Sequence, residues 1–283
     1  MNKTFGVIGG DRRQAELAGL LEADGCMVRT YGLGTWRSGD ETSLRQAAAC
    51  DVVILPLPLC QGDGVLNCRE SPVPTLDLFQ SLRPDQLILA GQVKPKQIRE
   101  AELCGLKVED YFLREELTVA NAAATAEAAI QVAMEQLDRT LLGMDCLVVG
   151  FGRIGKLLSS RLHGLGARVT ASARKPGDLA WIRAYGWQAL ETGGLDGRLE
   201  SFGAVFNTVP SLILDAALLS QLSPGCLCVD LASVPGIDLA AAESLGRPHV
   251  WARSLPGRLV PRTAAAVIRD AVYYILEERG EPA

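Results

Sequence analysis

The sequence predicts two α/β domains, each built on a doubly wound parallel sheet, the first Rossmann-like or flavodoxin-like and the second an NAD(P)-binding Rossmann domain. Short apolar runs alternate with helical patterns through both halves of the chain, which is typical of βαβ units. A glycine-rich turn at residues 150–155 separates an apolar run from an amphipathic stretch. The length of 283 residues fits about two domains.

The first domain is expected over residues 1–120. Apolar runs bounded by turn residues predict its strands at Thr4–Ile8, Met27–Tyr31, Val52–Leu55, Leu87–Ala90 and around Lys107–Val108. Helical periodicity predicts a helix after Gly9-Gly10 and others near Ser43–Ala49, Thr75–Leu82 and Pro95–Cys104.

An alanine-rich segment at residues 121–141 predicts a helix that links the two domains. The second domain is expected over residues 142–262, with strands near 146–149, 168–172, 204–207, 227–230 and 249–252. The last segment, residues 263–283, contains an amphipathic helix, which we expect to pack back on the first domain. Parallel sheets bind ligands beyond their carboxyl edges, so we expect a cleft between the domains to hold cofactor and substrate.

Composition excludes several classes of function. The net charge of −5, without a long basic block, disfavours nucleic acid and anionic membrane as partners. No apolar stretch is long enough to span a bilayer and no signal peptide is recognisable, so a cytoplasmic protein is expected. Eight scattered cysteines without a CxxC motif, and only two histidines, predict no metal site.

The turn Gly150-Phe151-Gly152-Arg153-Ile154-Gly155 has the spacing of a dinucleotide-binding motif, and it follows a predicted strand and opens a predicted helix. The first glycine permits the turn, the second lets the backbone approach a pyrophosphate, and the third allows close helix–strand packing. The alternative is a tight turn without a ligand.

The strand after this motif indicates which nucleotide binds. NAD sites usually place an acidic residue at its end, about 20 residues past the first glycine. Ser172, Arg174 and Lys175 stand there instead, and these residues suit the 2′-phosphate of NADP. We therefore predict NADP in preference to NAD. The alternative is that Arg174 and Lys175 form an ordinary solvated turn.

Three further loops follow predicted strands of the second domain and are candidates for contact with ribose and nicotinamide. Each is also a plausible structural turn. The candidate residues are Asn207, Thr208, Val209 and Pro210 in the first loop, Asp230, Ala232 and Ser233 in the second, and Pro256 and Gly257 in the third.

In the first domain, Gly9-Gly10-Asp11-Arg12-Arg13 opens a helix directly after a strand, a context suited to a carboxylate or phosphate. Asp11 has the alternative role of an N-cap. Neither His163 nor His249 offers the His–carboxylate pair that 2-hydroxy-acid dehydrogenases use, which disfavours a carbonyl–alcohol hydride reaction.

Taken together, the motifs resemble those of the family of bacterial dipicolinate synthase A subunits, along nearly the whole chain. The similarity is carried by residues 7–14, 54–56, 121–127, 150–155, 207–211, 230–233, 255–257 and 261–264. The Gly-Gly-Asp-x-Arg-Gln opening and the last three loops are the specific features. Arg262 stands where the family has lysine, and a proline expected after Asn121 is absent.

The resemblance implies an NAD(P)-dependent oxidoreductase that forms dipicolinate from dihydrodipicolinate or its hydrated precursor, with hydride transfer to NADP. It implies a dihydropyridine dicarboxylate substrate, a partner in the form of a B subunit, and a place in the mother-cell cytoplasm during sporulation; a homo-oligomer is also expected. Arg13 becomes the candidate for holding substrate carboxylates, together with Arg262. Asp11, Glu127 and water stay open as proton acceptors.

Two other functions remain open from the sequence. One is an amino- or hydroxy-acid dehydrogenase, which would turn over such acids without a partner. The other is a nucleotide-binding regulatory or scaffold subunit, with catalysis in the partner.

Overall fold

A computed structural model describes residues 3–37, 42–62, 64–68 and 72–281. The chain divides into two compact units. The first runs to Asn121 and resumes at Pro256, and the second comprises Ala122–Leu255. Among the described residues, no helix combines the length and the apolar character needed to cross a membrane.

The first unit is built on a parallel sheet. Within the described residues its strands are β1 (Thr4–Ile8), β2 (Met27–Tyr31), β3 (Val52–Ile54), β4 (Leu87–Ala90) and β5 (Val108–Asp110). They lie in the order β2-β1-β3-β4-β5, with every neighbouring pair parallel. This is the flavodoxin-like order, whose topological switch point lies between the first and third strands.

Helices cover both faces of this sheet. They are α1 (Arg12–Ala23), α2 (Leu44–Ala48), α3 (Thr75–Gln80) and α4 (Pro95–Leu103). α1 begins at Asp11, whose side chain accepts from the Arg13 backbone N–H and forms a capping box with Gln14. One apolar cluster joins α1 to the sheet through Leu17, Leu21 and Phe5, and a second lies on the opposite face.

The helix expected over residues 121–141 is placed differently. α5 spans Glu115–Gln136, so it begins before Asn121 and ends before Leu137. Glu115 and Glu116 in its first turn stabilise an earlier start, because negative charge is favourable at a helix N-terminus. α5 crosses from the first unit into the second.

The second unit is also built on a parallel sheet. Its described strands are β6 (Asp145–Val149), β7 (Arg168–Ala173), β8 (Gln188–Glu191), β9 (Ala204–Asn207), β10 (Leu227–Asp230) and β11 (His249–Trp251). They lie in the order β11-β10-β9-β6-β7-β8, which is that of a dinucleotide-binding Rossmann sheet. Its helices are α6 (Arg153–Gly164), α7 (Pro176–Ala184), α8 (Ala216–Ser220) and α9 (Leu239–Ser244).

The chain ends in two helices, α10 (Leu255–Leu259) and α11 (Pro261–Glu278). Residues 255–258, expected as a loop, are therefore helical. α11 buries Ile268, Val272 and Ile275 in the core cluster that contains Phe5 and Leu17, so the prediction that the last helix packs on the first domain is confirmed. The predicted fold class, two parallel-sheet α/β domains, is confirmed as well.

Candidate functional site

The glycine turn of the second unit lies at the switch point of its sheet. Gly150 follows β6 with a φ of 98°, a conformation that favours glycine. A Cβ on Gly155 would collide with the Gly150 carbonyl oxygen, so only glycine allows α6 to approach this closely. Among described residues, no heavy atom lies within 4 Å of where a Cβ on Gly152 would stand. The turn is thus closed on one side and open at Gly152.

The start of α6 is suited to an anion. Gly152 is its N-cap, no side chain among the described residues caps the helix there, and its first turn has no acidic residue. The N–H groups at a helix N-terminus and the helix dipole favour a phosphate. Arg153 and Gly152 are exposed and Ile154 is half-buried. A dinucleotide pyrophosphate therefore fits the turn, with the open side at Gly152 giving the close backbone approach.

The loop after β9 forms the other wall of the switch point. A Cβ on Gly150 would stand 2.5 Å from Thr208 Oγ1 and 2.8 Å from Val209 Cγ2. Thr208 donates from N and from Oγ1 to the Val149 carbonyl, each at 2.9 Å. Thr208 and Val209 are half-buried and Pro210 is exposed, so this loop presents surface beside the glycine turn.

Asn207 and Asp230 form a buried hydrogen-bonded pair. Both are completely buried, and the contact of their loops with a cofactor stays a prediction. One Asp230 oxygen accepts from Asn207 Nδ2 at 2.9 Å and Ala232 N at 3.0 Å, and the other accepts from Gly236 N at 2.7 Å and Ile237 N at 2.9 Å. Asn207 Nδ2 also donates to Val209 O at 3.0 Å. Together they tie the loop after β9 to the loop after β10 and position both.

The other two candidate residues in the loop after β10 differ in exposure. Ala232 is buried and its carbonyl accepts from Trp251 Nε1 at 3.0 Å, whereas Ser233 is exposed. Gly236 is not singled out by any sequence motif, yet a Cβ there would stand against Asn207 Nδ2 and Val209 O. A glycine six residues past Asp230 is the signal that could have revealed the close packing.

The candidate residues for the 2′-phosphate at the end of β7 differ in exposure. Ser172 is fully buried, and its Oγ accepts from Thr192 Oγ1 at 3.2 Å, so its contact with a phosphate stays a prediction. Arg174 and Lys175 are exposed directly after β7, and Lys175 is the N-cap of α7. The sequence motif does not single out Ala173, the last residue of β7, which occupies the strand end without a carboxylate.

The opening motif of the first unit forms a compact ion pair at the switch point between β1 and β3. Arg13 Nε donates to Asp11 Oδ1 at 2.9 Å and Arg13 Nη2 donates to Asp11 Oδ2 at 2.8 Å. Arg13 Nη2 also donates to the Leu57 carbonyl, and only 8% of the Arg13 side chain is exposed, against 36% for Asp11. The Arg13 guanidinium thus holds Asp11, and its role as a clamp for a substrate carboxylate stays a prediction.

Gly257 lies against this pair, in the first unit. A Cβ there would stand 2.8 Å from both Arg13 Nε and Asp11 Oδ2. Gly257 and Pro256 are both buried. Gly257, expected to touch the cofactor together with Pro256, thus packs against the Asp11–Arg13 pair, and both residues belong to the first unit.

Tyr111 lies in the core of the same unit. It is completely buried and its hydroxyl donates to the Leu55 carbonyl at 3.0 Å. Burial raises the pKa of this hydroxyl, so Tyr111 stays neutral. A Cβ on Gly91 would stand 2.8 Å from the Tyr111 ring, which explains the glycine after β4.

The last two catalytic candidates lie elsewhere. Arg262 is exposed near the start of α11 and lines a groove with Arg12, whereas Arg13 is not part of that lining. Glu127 lies in the second unit, where its carboxylate accepts from Arg161 Nε and Nη2, each at 3.1 Å. Within the described residues, no group of His, Cys, Asp and Glu is arranged to hold a metal ion.

Comparison with known proteins extends this description. The family model for the N-terminal domain of the dipicolinate synthase A subunit matches residues 4–112. The A subunit of dipicolinate synthase from Bacillus subtilis (strain 168) is 30% identical over 285 residues, covering 96% of this chain and 95% of that protein.

The chain belongs to the family of dipicolinate synthase A subunits.

Solved structures of the family share its fold. The dipicolinate synthase A chain of Bacillus subtilis superposes with a TM-score of 0.84 at 27% identity, over 98% of this chain and 97% of that one. The A subunit of dipicolinate synthase from Bacillus halodurans superposes with a TM-score of 0.84 at 24% identity, over 97% of each chain. The resemblance drawn from the motifs is confirmed, and with it the enzyme class at the level of the family.

Proposed function

We propose that this chain is the NADP-dependent oxidoreductase subunit that forms pyridine-2,6-dicarboxylate from dihydrodipicolinate or its hydrated precursor. The observation that carries the proposal is the glycine turn, closed by Gly155 against Gly150 and open at Gly152. Its residues would hold the dinucleotide pyrophosphate on the N-terminus of α6. The family membership supports the substrate, since its members carry the name dipicolinate synthase.

The preference for NADP is supported by the end of β7. Ala173 places no carboxylate there, and the exposed cations Arg174 and Lys175 precede the N-terminus of α7. The first carboxylate after them is Asp178, within the first turn of α7. Guanidinium and ammonium groups attract the 2′-phosphate, and an acidic residue at the strand end would repel it.

The bound nicotinamide supplies a hydride acceptor. The dihydropyridine ring loses one hydrogen as hydride and one as a proton, and an aromatic pyridine results, so the reaction balances as one reduced cofactor and one proton per product. A hydrated precursor loses one water as well. Because aromatisation drives the reaction, a weak base suffices, and no histidine is required.

Asp11 is the candidate proton acceptor of this chain. Its side chain is more exposed than that of Arg13, and both of its oxygens are oriented by Arg13. Arg13 is then a positioning residue, and Gly257 packs closely against the pair, where a larger residue would collide with it. Glu127, paired with Arg161 on the second unit, is the weaker candidate.

The relatives are named as one lettered component of a synthase, which supports a second component, the B subunit, in the role of partner. The proposed location is the mother-cell cytoplasm during sporulation. Self-association of the chain stays a prediction.

The test is turnover of an enzymatically generated dihydrodipicolinate precursor by the full chain, with and without a B subunit, with NADP and then NAD. We expect equimolar pyridine dicarboxylate and reduced cofactor, with a higher kcat/KM for NADP. Product without cofactor reduction under every condition would overturn the oxidoreductase and favour a regulatory or scaffold subunit. Turnover of amino or hydroxy acids by the isolated chain, without dipicolinate formation, would favour the alternative dehydrogenase.

A further inference from the structure

The first unit has a groove of about 590 Å³. None of the residues proposed above for nucleotide binding lines this groove. One wall is a face of α1, the opposite wall is the segment after β2, and Arg262 near the start of α11 closes one end. Its described lining is Arg12, Ala15, Glu16, Gly19, Leu20, Ala23, Thr35, Trp36, Arg37 and Arg262. The volume lies within the range of small-molecule sites, about 300–1,000 Å³.

The N-termini of α1 and α11 point to the same end of this groove. Arg12 and Arg262 line it at the beginnings of the two helices. Further along, the Asp24 carboxylate after α1 accepts from the Tyr273 hydroxyl of α11 at 2.9 Å, so the helices run in the same direction. The first turns of these two described helices contain no acidic residue. The Asp11 carboxylate caps α1, whereas the N-cap of α11, Val260, offers no side-chain acceptor, so it is the dipole of α11 that adds positive potential near the two arginines.

The guanidinium groups of the groove are incompletely neutralised. Arg262 has no ion pair or hydrogen bond with any described residue. Arg12 pairs with Glu16 at 3.5 Å, with half of its side chain exposed, and such surface pairs hold their partners weakly. Arg37 is fixed by Glu22, and its buried Nε has no acceptor within the described chain. Arg12 and Arg37 are thus paired with Glu16 and Glu22, and Arg262 is the arginine of the groove without an ion pair to a described residue.

The lining of the groove also includes apolar side chains. Trp36 is 42% exposed, and Leu20 on α1 is half-buried. Gly19 is exposed, and among described residues no heavy atom lies within 4 Å of where its Cβ would stand. This open space at Gly19 is the slot that would take an aromatic ring, because indole faces stack favourably on flat rings.

We propose that this groove is a second ligand site, specific for a small aromatic carboxylate. The carboxylate is bound by Arg262 and Arg12, where bidentate geometry and the N-terminus of α11 favour an anion. The ring lies along Leu20 and Gly19 beside Trp36. The site is distinct from the residues proposed for the redox reaction, because its lining includes neither the Asp11–Arg13 pair nor the glycine turn.

The test uses benzene-1,3-dicarboxylate, which cannot be oxidised to a pyridine and so reports binding alone. Titration into the full chain at saturating NADP is followed by calorimetry and tryptophan fluorescence. We expect saturable heat and a fluorescence change that is lost in Trp36→Phe. Acetate and inorganic phosphate, which lack a ring, are expected to bind at least about tenfold more weakly.

Two variant pairs assign the binding to this groove. Arg262→Gln is expected to weaken binding about tenfold through loss of a charge-assisted hydrogen bond, whereas Arg83→Gln, an exposed arginine outside the groove, leaves it unchanged. Gly19→Leu is expected to fill the slot and weaken binding by more than about tenfold, while Gly19→Ala, which adds one methyl group, changes it less than about twofold. Leucine and alanine are both good helix formers, so both variants should fold.

Binding that is unchanged in both Arg262→Gln and Gly19→Leu would overturn the proposal, as would the absence of saturable binding by the wild-type chain. Equal affinity for phosphate and for the aromatic dicarboxylate would also overturn it, because the site would then recognise charge without a ring. None of these outcomes depends on turnover, so a failure here leaves the proposed oxidoreductase reaction untouched.

Discussion

Arg13 and Asp11 form a nearly closed pair at the switch point of the first sheet, with Arg13 Nε and Nη2 donating to the two Asp11 oxygens at 2.9 and 2.8 Å. The Arg13 side chain is buried while that of Asp11 is partly exposed. The motif therefore presents an oriented carboxylate to its surroundings, and the arginine behind it is committed to holding that carboxylate. This arrangement makes Asp11 the testable group.

Asp11→Asn is expected to lower kcat about 100-fold, since general bases contribute about 10²–10⁴. Asparagine is as good an N-cap as aspartate, so α1 should be preserved. Its NH₂ group replaces an oxygen that accepts from Arg13, so the chain should stay folded but lose about 1–3 kcal/mol of stability. The measurement is single-turnover pyridine dicarboxylate formation, with NADP affinity as the control. Wild-type rates in Asp11→Asn would remove Asp11 from the proposed chemistry.

The glycine turn separates folding from nucleotide binding. Gly152→Ala adds a methyl group into open space at an ordinary φ of −78°, so the chain should fold as before. NADP affinity should fall at least about tenfold, because the methyl group occupies the space that the pyrophosphate needs to approach the backbone. Calorimetric titration with NADP checks the affinity and thermal unfolding checks the fold.

Gly155→Ala serves as the comparison, since its Cβ collides with the Gly150 carbonyl. It should lose about 1–3 kcal/mol of stability as well as affinity. Full NADP affinity in Gly152→Ala would contradict the assignment of this turn.

Cofactor choice should follow the end of β7. Ala173→Asp combined with Arg174→Ser places a carboxylate where NAD sites have one and removes an exposed cation. The ratio of kcat/KM for NADP to that for NAD should fall at least about tenfold. Arg183→Ser, an exposed arginine in the last turn of α7, is the matched control and should leave the ratio unchanged. An unaltered ratio in the double variant would place 2′-phosphate recognition elsewhere.

Asp230 is expected to matter for stability and loop geometry rather than for direct contact. Asp230→Asn points an NH₂ group at N–H donors that its oxygens now satisfy, which should cost about 3 kcal/mol. Asp238→Asn, the N-cap of α9, is the control and should cost almost nothing. Urea unfolding compares the two. Equal midpoints would show that the buried network contributes little.

The pH dependence of stability should reflect Asp51. Hydrogen bonds from the Thr4 backbone and side chain lower the pKa of this carboxyl from its ordinary value of 3.8. Its stabilising effect is therefore present above about pH 4 and lost as pH falls through the lowered pKa. Asp51→Asn should be less stable than wild type at pH 7, and the difference should shrink on acidification, as measured by urea midpoints between pH 7 and 3. A difference constant with pH would contradict this.

Much of the fold follows from local patterns. Strands β1 and β4 lie where their apolar runs predict, since buried parallel strands are continuously apolar. Strand β2, at the edge of the sheet, also lies where it is predicted. Strand β8 escapes prediction, because its residues Gln188–Glu191 are exposed at both ends, half-buried in the middle, and lack an apolar run. α10 is expected as a loop because Pro256 and Gly257 are typical of turns, and only its packing against the first unit makes it helical.

The site is only partly predictable for a different reason. The glycine turn has a sequence spacing that reports its geometry directly. Asn207, Asp230 and Ser172 stand at strand ends, where the sequence cannot tell whether a side chain turns outward to a ligand or inward to a partner. Their complete burial comes from contacts between segments distant in sequence, such as Asn207 with Asp230 and Ser172 with Thr192. The sequence likewise does not reveal that the Arg13 guanidinium is held by Asp11 and by the carbonyl of Leu57 in a distant loop.

The most direct test of the central claim is to follow the hydrogen itself. A substrate deuterated at the saturated ring carbons is turned over with unlabelled NADP by the full chain together with the B subunit, and the reduced cofactor is analysed by mass spectrometry. The account predicts one deuterium in each reduced NADP, in amounts equal to the pyridine dicarboxylate formed. Product that accumulates while the deuterium appears only in water, with the cofactor unlabelled, would contradict hydride transfer to the nucleotide.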